Sequence, residues 1–116
     1  AAGSIIGNWT SATVSTEWSY LDWPVSSADL EKLRGVRFVF TSGSHALEID
    51  GVELLENGKV IARDQHAGLA GKPSRGNFYK LSLPKGIHAN NGCSLRARVR
   101  SVGGKSSNGK LELIKE

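Results

Sequence analysis

Carboxylates, imidazoles and guanidinium groups are the side chains here that could do chemistry, and their spacing decides which chemistry. Asp64-Gln65-His66 is the only close acid and imidazole pair. In an extended segment the two share one side of the chain, an arrangement that suits an acid-base pair or two metal ligands. Two donors are too few for a metal centre, and His45 and His88 belong to separate segments. The simpler reading is a hydrogen bond that braces a loop. Glu48, Asp50 and Glu53 gather three carboxylates, but short strands offer no deep cleft in which two of them could flank a glycosidic bond. They read as a solvated face or, in the alternative, as ligands of a structural calcium, which takes carboxylate and carbonyl oxygens. The chain has no glycine-rich phosphate loop leading into a helix, no His-Glu-x-x-His, no cysteine pair and no nucleophile elbow. The expectation is a non-catalytic protein.

Aromatic and basic residues say more. Leu21, Trp23 and Val25 alternate with Trp18, Tyr20 and Asp22, so one strand sends the first set into a core and the second outward. An outward aromatic can stack on the apolar face of a pyranose while Arg, Asn, His and Asp satisfy its hydroxyls. A covering loop or partner domain is the competing explanation for Trp18 and Tyr20, and Trp9 and Tyr79 carry the same ambiguity. Arg96, Arg98 and Arg100 form a row on one strand face, able to grip carboxylate or sulfate groups. Cross-strand pairing with Glu48, Glu53 or Glu112 is the stronger reading. Nucleic acid would call for more basic residues interleaved with aromatics.

The elements that must position these residues are short strands punctuated by Gly, Asn and Pro. Val36, Phe38 and Phe40 alternate with Arg37 and Val39, Leu47 and Ile49 with Glu48 and Asp50, and Leu95, Ala97 and Val99 with the arginines. Asn57-Gly58 between Leu54-Leu55 and Val60-Ile61 predicts a tight hairpin, because both turn residues tolerate positive φ. Asn77 to Leu83 reads as a strand stopped by Pro84, and Leu111 and Leu113 as the last strand. One helical turn is expected over Ser27 to Leu33, capped by Ser27 and ended by Arg34-Gly35. About eight strands at spacings near ten residues, with no βαβ rhythm, predict an all-β antiparallel sandwich of the jelly-roll type.

The totals agree with one such domain over residues 1–116. Apolar residues at 39% and charged residues at 22% are those of a globular protein. No apolar run approaches the roughly 20 residues needed to cross a bilayer, so no membrane partner is expected. The net charge of +4 is spread without blocks and does not select between anionic partners. The single cysteine, Cys93, reads as a small buried residue. The opening Ala1-Ala2-Gly3-Ser4 lacks the pattern of a signal peptide, as a mature or cut-off terminus would.

The run from His45 through Leu47-Glu48-Ile49-Asp50-Gly51 and Glu56-Asn57-Gly58-Lys59 to Ile61, Asp64, His66, Gly68 and Gly71 resembles accessory domains found C-terminal to bacterial glycoside hydrolases such as hexosaminidases. The segment from Tyr79 through Leu95 to Ser101, and on to Ser107-Asn108-Gly109, continues the likeness. Those domains are similar to galactose-binding-like jelly rolls. The resemblance implies a carbohydrate-binding module that holds a secreted or periplasmic glycan-degrading enzyme near its polysaccharide, with that catalytic domain as partner and no cofactor required. Candidate sugar contacts are His45, Arg63, Asp64, His66 and Asn77 in loops, and Trp18, Tyr20 and Arg98 on a sheet face. The alternatives are a structural accessory domain that packs on a catalytic domain and, further off, a small enzyme using Asp64 and His66.

Overall fold

A computed structural model describes residues 4–81, 83 and 92–115, so Pro84 and His88 lie outside the described residues. The elements run β1 (Ser4–Trp9), β2 (Ser19–Pro24), α1 (Ser27–Lys32), β3 (Leu33–Ser42), β4 (Leu47–Glu56), β5 (Lys59–Asp64), β6 (Gly68–Ala70), β7 (Phe78–Lys80), β8 (Cys93–Ser101) and β9 (Asn108–Lys115). Two antiparallel sheets result, one ordered β1-β9-β3-β7 and the other β2-β8-β4-β5. β5 and β6 share the far edge of β4, since β5 pairs with Val52 to Glu56 and β6 with Leu47 to Ile49. Strands β1 to β4 alternate between the sheets and β5 stays beside β4 through its hairpin, which is jelly-roll connectivity.

Alternation along each strand builds the core. Val36 and Phe38 on β3 and Leu111 and Leu113 on β9 face Ile49, Val52 and Leu54 on β4 and Leu95, Ala97 and Val99 on β8, all fully buried. Phe38 sits where the sheets meet, with ring centroids 5.9 Å from Trp9, 6.0 Å from Trp23 and 5.8 Å from Tyr79. The contacts with Trp23 and Tyr79 are edge-to-face, which adds to the burial of apolar area. The two indoles are also anchored by their polar ends: Trp9 Nε1 donates to Ser107 Oγ at 3.0 Å and Trp23 Nε1 to the Asn8 carbonyl at 3.0 Å. Trp9 and Tyr79, ambiguous in the sequence, are therefore core residues. Cys93 is a buried thiol, as its residue type suggests.

The hairpin between β4 and β5 turns at Asn57 (φ 51°) and Gly58 (φ 84°), the two positive φ values that a tight primed turn requires. The helical turn is present, but its cap is Ser26 rather than Ser27: Ser26 Oγ accepts from the Asp29 N–H. Nine strands form among the described residues, against about eight expected. The extra one, β6, is three residues opening on glycine, too short to show an alternation. β7 spans Phe78–Lys80 within the predicted Asn77 to Leu83, and its pairing with β3 is carried one residue further at each end by the Phe38 N–H to the Asn77 carbonyl at 3.0 Å and the Leu81 N–H to the Arg34 carbonyl at 3.1 Å.

Phe38→Ala removes the ring shared by both sheets and is expected to cost about 3–5 kcal/mol of unfolding free energy in a denaturant titration. An unchanged midpoint would show that the two sheets are held together elsewhere.

Candidate functional site

β8 runs through the interior of the five-stranded sheet with β2 on one side and β4 on the other. Burying Leu95, Ala97 and Val99 forces Arg96, Arg98 and Arg100 onto the outer face. β2 brings Asp22 opposite Arg96 and Tyr20 opposite Arg98. β4 brings Glu53 opposite Arg96, Gly51 opposite Arg98 and Glu48 opposite Arg100, and β5 brings Arg63 opposite Glu53. The outer face is therefore a set of cross-strand rungs, one of which, Asp22-Arg96-Glu53-Arg63, alternates in sign across four strands.

A bulge sets this register. Pairing of β4 with β8 passes from Ile49 opposite Val99 to Gly51 opposite Arg98, so Asp50 is an extra residue. Without it a period of two would put Val52 outside and Glu53 in the core. With it Glu48, Asp50 and Glu53 share the outer face, each carboxylate held by arginine. Arg100 Nε donates to Glu48 at 2.5 Å, Arg98 Nη1 to Asp50 at 2.8 Å and Arg96 Nη2 to Glu53 Oε1 at 2.6 Å, while Arg63 Nη2 reaches Glu53 Oε2 at 2.6 Å. These are the cross-strand pairs that the arginine row predicts, with Asp50 added. Glu112 is not among them. It lies on the other sheet, where it pairs with Arg37 at 3.2 Å.

Aromatic rings lean on the same guanidinium groups. Arg96 lies 5.0 Å from the Tyr20 ring centroid, and Arg98 and Arg100 lie 4.6 and 4.8 Å from that of Trp18. Trp18 is thereby half-buried under two side chains of its own chain, whereas Tyr20 stays 56% exposed. Beside Tyr20 the face sinks into a shallow depression of about 280 Å³, lined by Gly51, Glu53, Arg63, Gln65, Arg96 and Arg98 among others.

The loop candidates have a different place. Asp64 at the end of β5 accepts the Lys80 N–H of β7 at 2.7 Å through Oδ2 and meets His66 Nδ1 at 3.3 Å through Oδ1, so it ties the edges of the two sheets. His66 stacks on Tyr79 with centroids 4.1 Å apart and meets the Gly76 carbonyl through Nε2 at 3.0 Å. The Tyr79 hydroxyl donates to the His66 carbonyl at 2.9 Å, and burial pushes the phenol well above its ordinary range. Asn77 Nδ2 donates to the Phe38 carbonyl at 2.7 Å, and His45 Nδ1 accepts the Ser106 N–H at 3.2 Å. These four brace loops and sheet edges. Of the sugar-site candidates, the fold gathers Trp18, Tyr20, Arg63 and Arg98 on one face and leaves His45, Asp64, His66 and Asn77 elsewhere. The sequence reading put Arg96 in the row with Arg98 and paired that row with Glu53, but it counted none of Arg96, Glu53, Asp50, Gly51 and Gln65 among the sugar contacts. Its usable signal was the break in phase between Leu47-Ile49 and Val52-Leu54, placed on a glycine.

Among the described residues no group of three His, Cys, Asp or Glu is arranged to hold a metal ion, and no helix is long and apolar enough to cross a membrane.

Glu53 is the hinge of the electrostatics. Its burial alone would raise its pKa, but the hydrogen bonds from Arg96 and Arg63 and their charges outweigh that and hold it below the ordinary value of 4.5. A depressed folded pKa gives stability that is fully present above the unfolded value and is lost as pH falls through the folded one. Thermal melts between roughly pH 6 and pH 3 are expected to show a fall in Tm for the wild type that is smaller in Glu53→Gln, and equal slopes would refute this. No protein-family model matches the chain, and no curated protein matches it closely enough to count as a relative.

Proposed function

We propose that the chain is a non-catalytic carbohydrate-binding module that engages sugar on the outer face of the five-stranded sheet. The observation that carries this reading is the exposed Tyr20 ring, set beside a ring-sized depression whose rim offers guanidinium donors and carboxylate acceptors. A sugar needs that pairing of an apolar platform with hydroxyl partners. The depression is shallow and presents one platform, so affinity at a single site is weak and gains from tethering. The likeness to accessory domains of bacterial glycoside hydrolases supports a role beside such an enzyme, secreted or periplasmic, with polysaccharide as the target.

A second reading rests on Trp18. Its cover by Arg98 and Arg100 and the pairing of the arginines with Glu48, Asp50 and Glu53 also suit a structural accessory domain that packs this face on a catalytic domain.

Titration against a panel of soluble glycans separates the two. Binding to at least one glycan is expected, weakened about tenfold or more by Tyr20→Ala and unchanged by His45→Ala or Asn77→Ala. Absence of binding across the panel would remove the carbohydrate reading and leave the packing role.

A further inference from the structure

We infer, resting on the carbohydrate-binding reading, that the ligand is a neutral glycan and that one uncharged sugar ring occupies the gap over Gly51 against Tyr20. The charge pattern argues for neutrality. Arg63, Arg96, Arg98 and Arg100 bring four positive charges to the rungs, and Asp22, Glu48, Asp50 and Glu53 bring four negative ones. Although the whole chain carries +4, this face is balanced. An incoming carboxylate or sulfate drawn to these arginines would sit beside Asp50 or Glu53, which the same arginines already hold, a like-charge contact in a half-buried place. Glu53, held from both sides at 2.6 Å and only 17% exposed, cannot move away.

A hydroxyl meets no such obstacle, because it both donates and accepts. The Arg98 contact with Asp50 runs through a single Nη1 donor, and a guanidinium has five N–H groups, so it can hold its acid and still donate to a sugar. The internal pairs then fix the direction of donors and acceptors before the ligand arrives, which lowers the ordering cost of binding.

Gly51 makes the room. It lies opposite Arg98 on β4 and Tyr20 lies opposite Arg98 on β2, so the only side chain missing from that rung is the one that would fill the depression. A Cβ there would already come within 3.2 Å of Gln65 Cγ. The volume of about 280 Å³ is just under the roughly 300–1,000 Å³ of pockets for larger ligands, which fits one ring with the rest of the polymer in solvent.

Native affinity electrophoresis of the whole chain tests this, with gels carrying a neutral polymer (galactomannan, arabinoxylan, hydroxyethylcellulose or glycol chitin with its amines acetylated) or an acidic one (polygalacturonate or chondroitin sulfate). Retardation by at least one neutral polymer is expected, changing less than about twofold between low and high salt. Tyr20→Ala and Gly51→Val should each weaken it about tenfold, and Arg37→Ala on the opposite sheet should not. Tyr20 is exposed, so its variant reports on the site even if Gly51→Val disturbs the strand. Retardation by acidic polymers alone, weakening steeply with salt, would overturn the inference while sparing the carbohydrate-binding reading. So would retention on a neutral polymer that ignores both variants. Failure with every polymer would overturn the reading itself.

Discussion

A strand at the surface of a sandwich can bury only one of its faces, and β4 keeps its apolar side inward over ten residues only because the chain inserts Asp50 as an extra residue. Leu47 and Ile49 precede the bulge in one phase, and Val52 and Leu54 follow it in the other. Had the strand run straight, either half of that set would face water. The core contacts of β4 with Phe38 and its neighbours, the pairing with β8 and the placement of the acids all follow from this one slip. It shapes the outer face as well: Glu53 joins Glu48 and Asp50 outside, and the residue that follows Asp50 is a glycine that lines the depression.

The ladder that results is a poor source of stability. The arginines are between about a third and a half exposed, and exposed ion pairs contribute roughly 0.2–1 kcal/mol each. Cation-π contacts at such sites add roughly 0.5–1 kcal/mol. Stability comes instead from the aromatic cluster and the aliphatic rows between the sheets, whose loss is expensive. What the ladder supplies is order. Long flexible side chains that would otherwise sample many rotamers are fixed at both ends by carboxylates and rings, so the face presents one chemical pattern to whatever docks on it.

Much of the fold was legible in the residues, for stated reasons. The alternation of Val36, Phe38 and Phe40, of Leu47 and Ile49, and of Leu95, Ala97 and Val99 reports which side of each strand is dry, and Asn57-Gly58 reports its turn through φ. Short elements carry too little pattern, which is why β6 was missed. The site was legible only by halves. Outward-pointing Trp18, Tyr20 and Arg98 follow from parity within a strand, and the fold does bring them together. Parity says nothing of which residues on other strands lie alongside, so Arg63 could be grouped with Asp64, His66 and Asn77 as loop residues although it stands on β5 opposite Glu53. His45, Asp64, His66 and Asn77 have the polar groups of sugar contacts, but a polar group near a buried edge must satisfy backbone first, and each of the four has such a task.

The same accounting shifts the weight from tryptophan to tyrosine. A larger ring is ordinarily the better platform, and residue type alone favours Trp18. Yet an aromatic face can be occupied from within, and Arg98 and Arg100 lie over the indole at under 5 Å. To stack a sugar there the chain would have to give up two cation-π contacts and loosen the Asp50 and Glu48 pairs that those arginines hold. Tyr20 has the Arg96 guanidinium 5.0 Å from its ring centroid and more than half of its surface in solvent. On the carbohydrate-binding reading proposed above, exposure that costs nothing to use outweighs ring size, so Trp18 would brace the arginines and Tyr20 would meet the ligand.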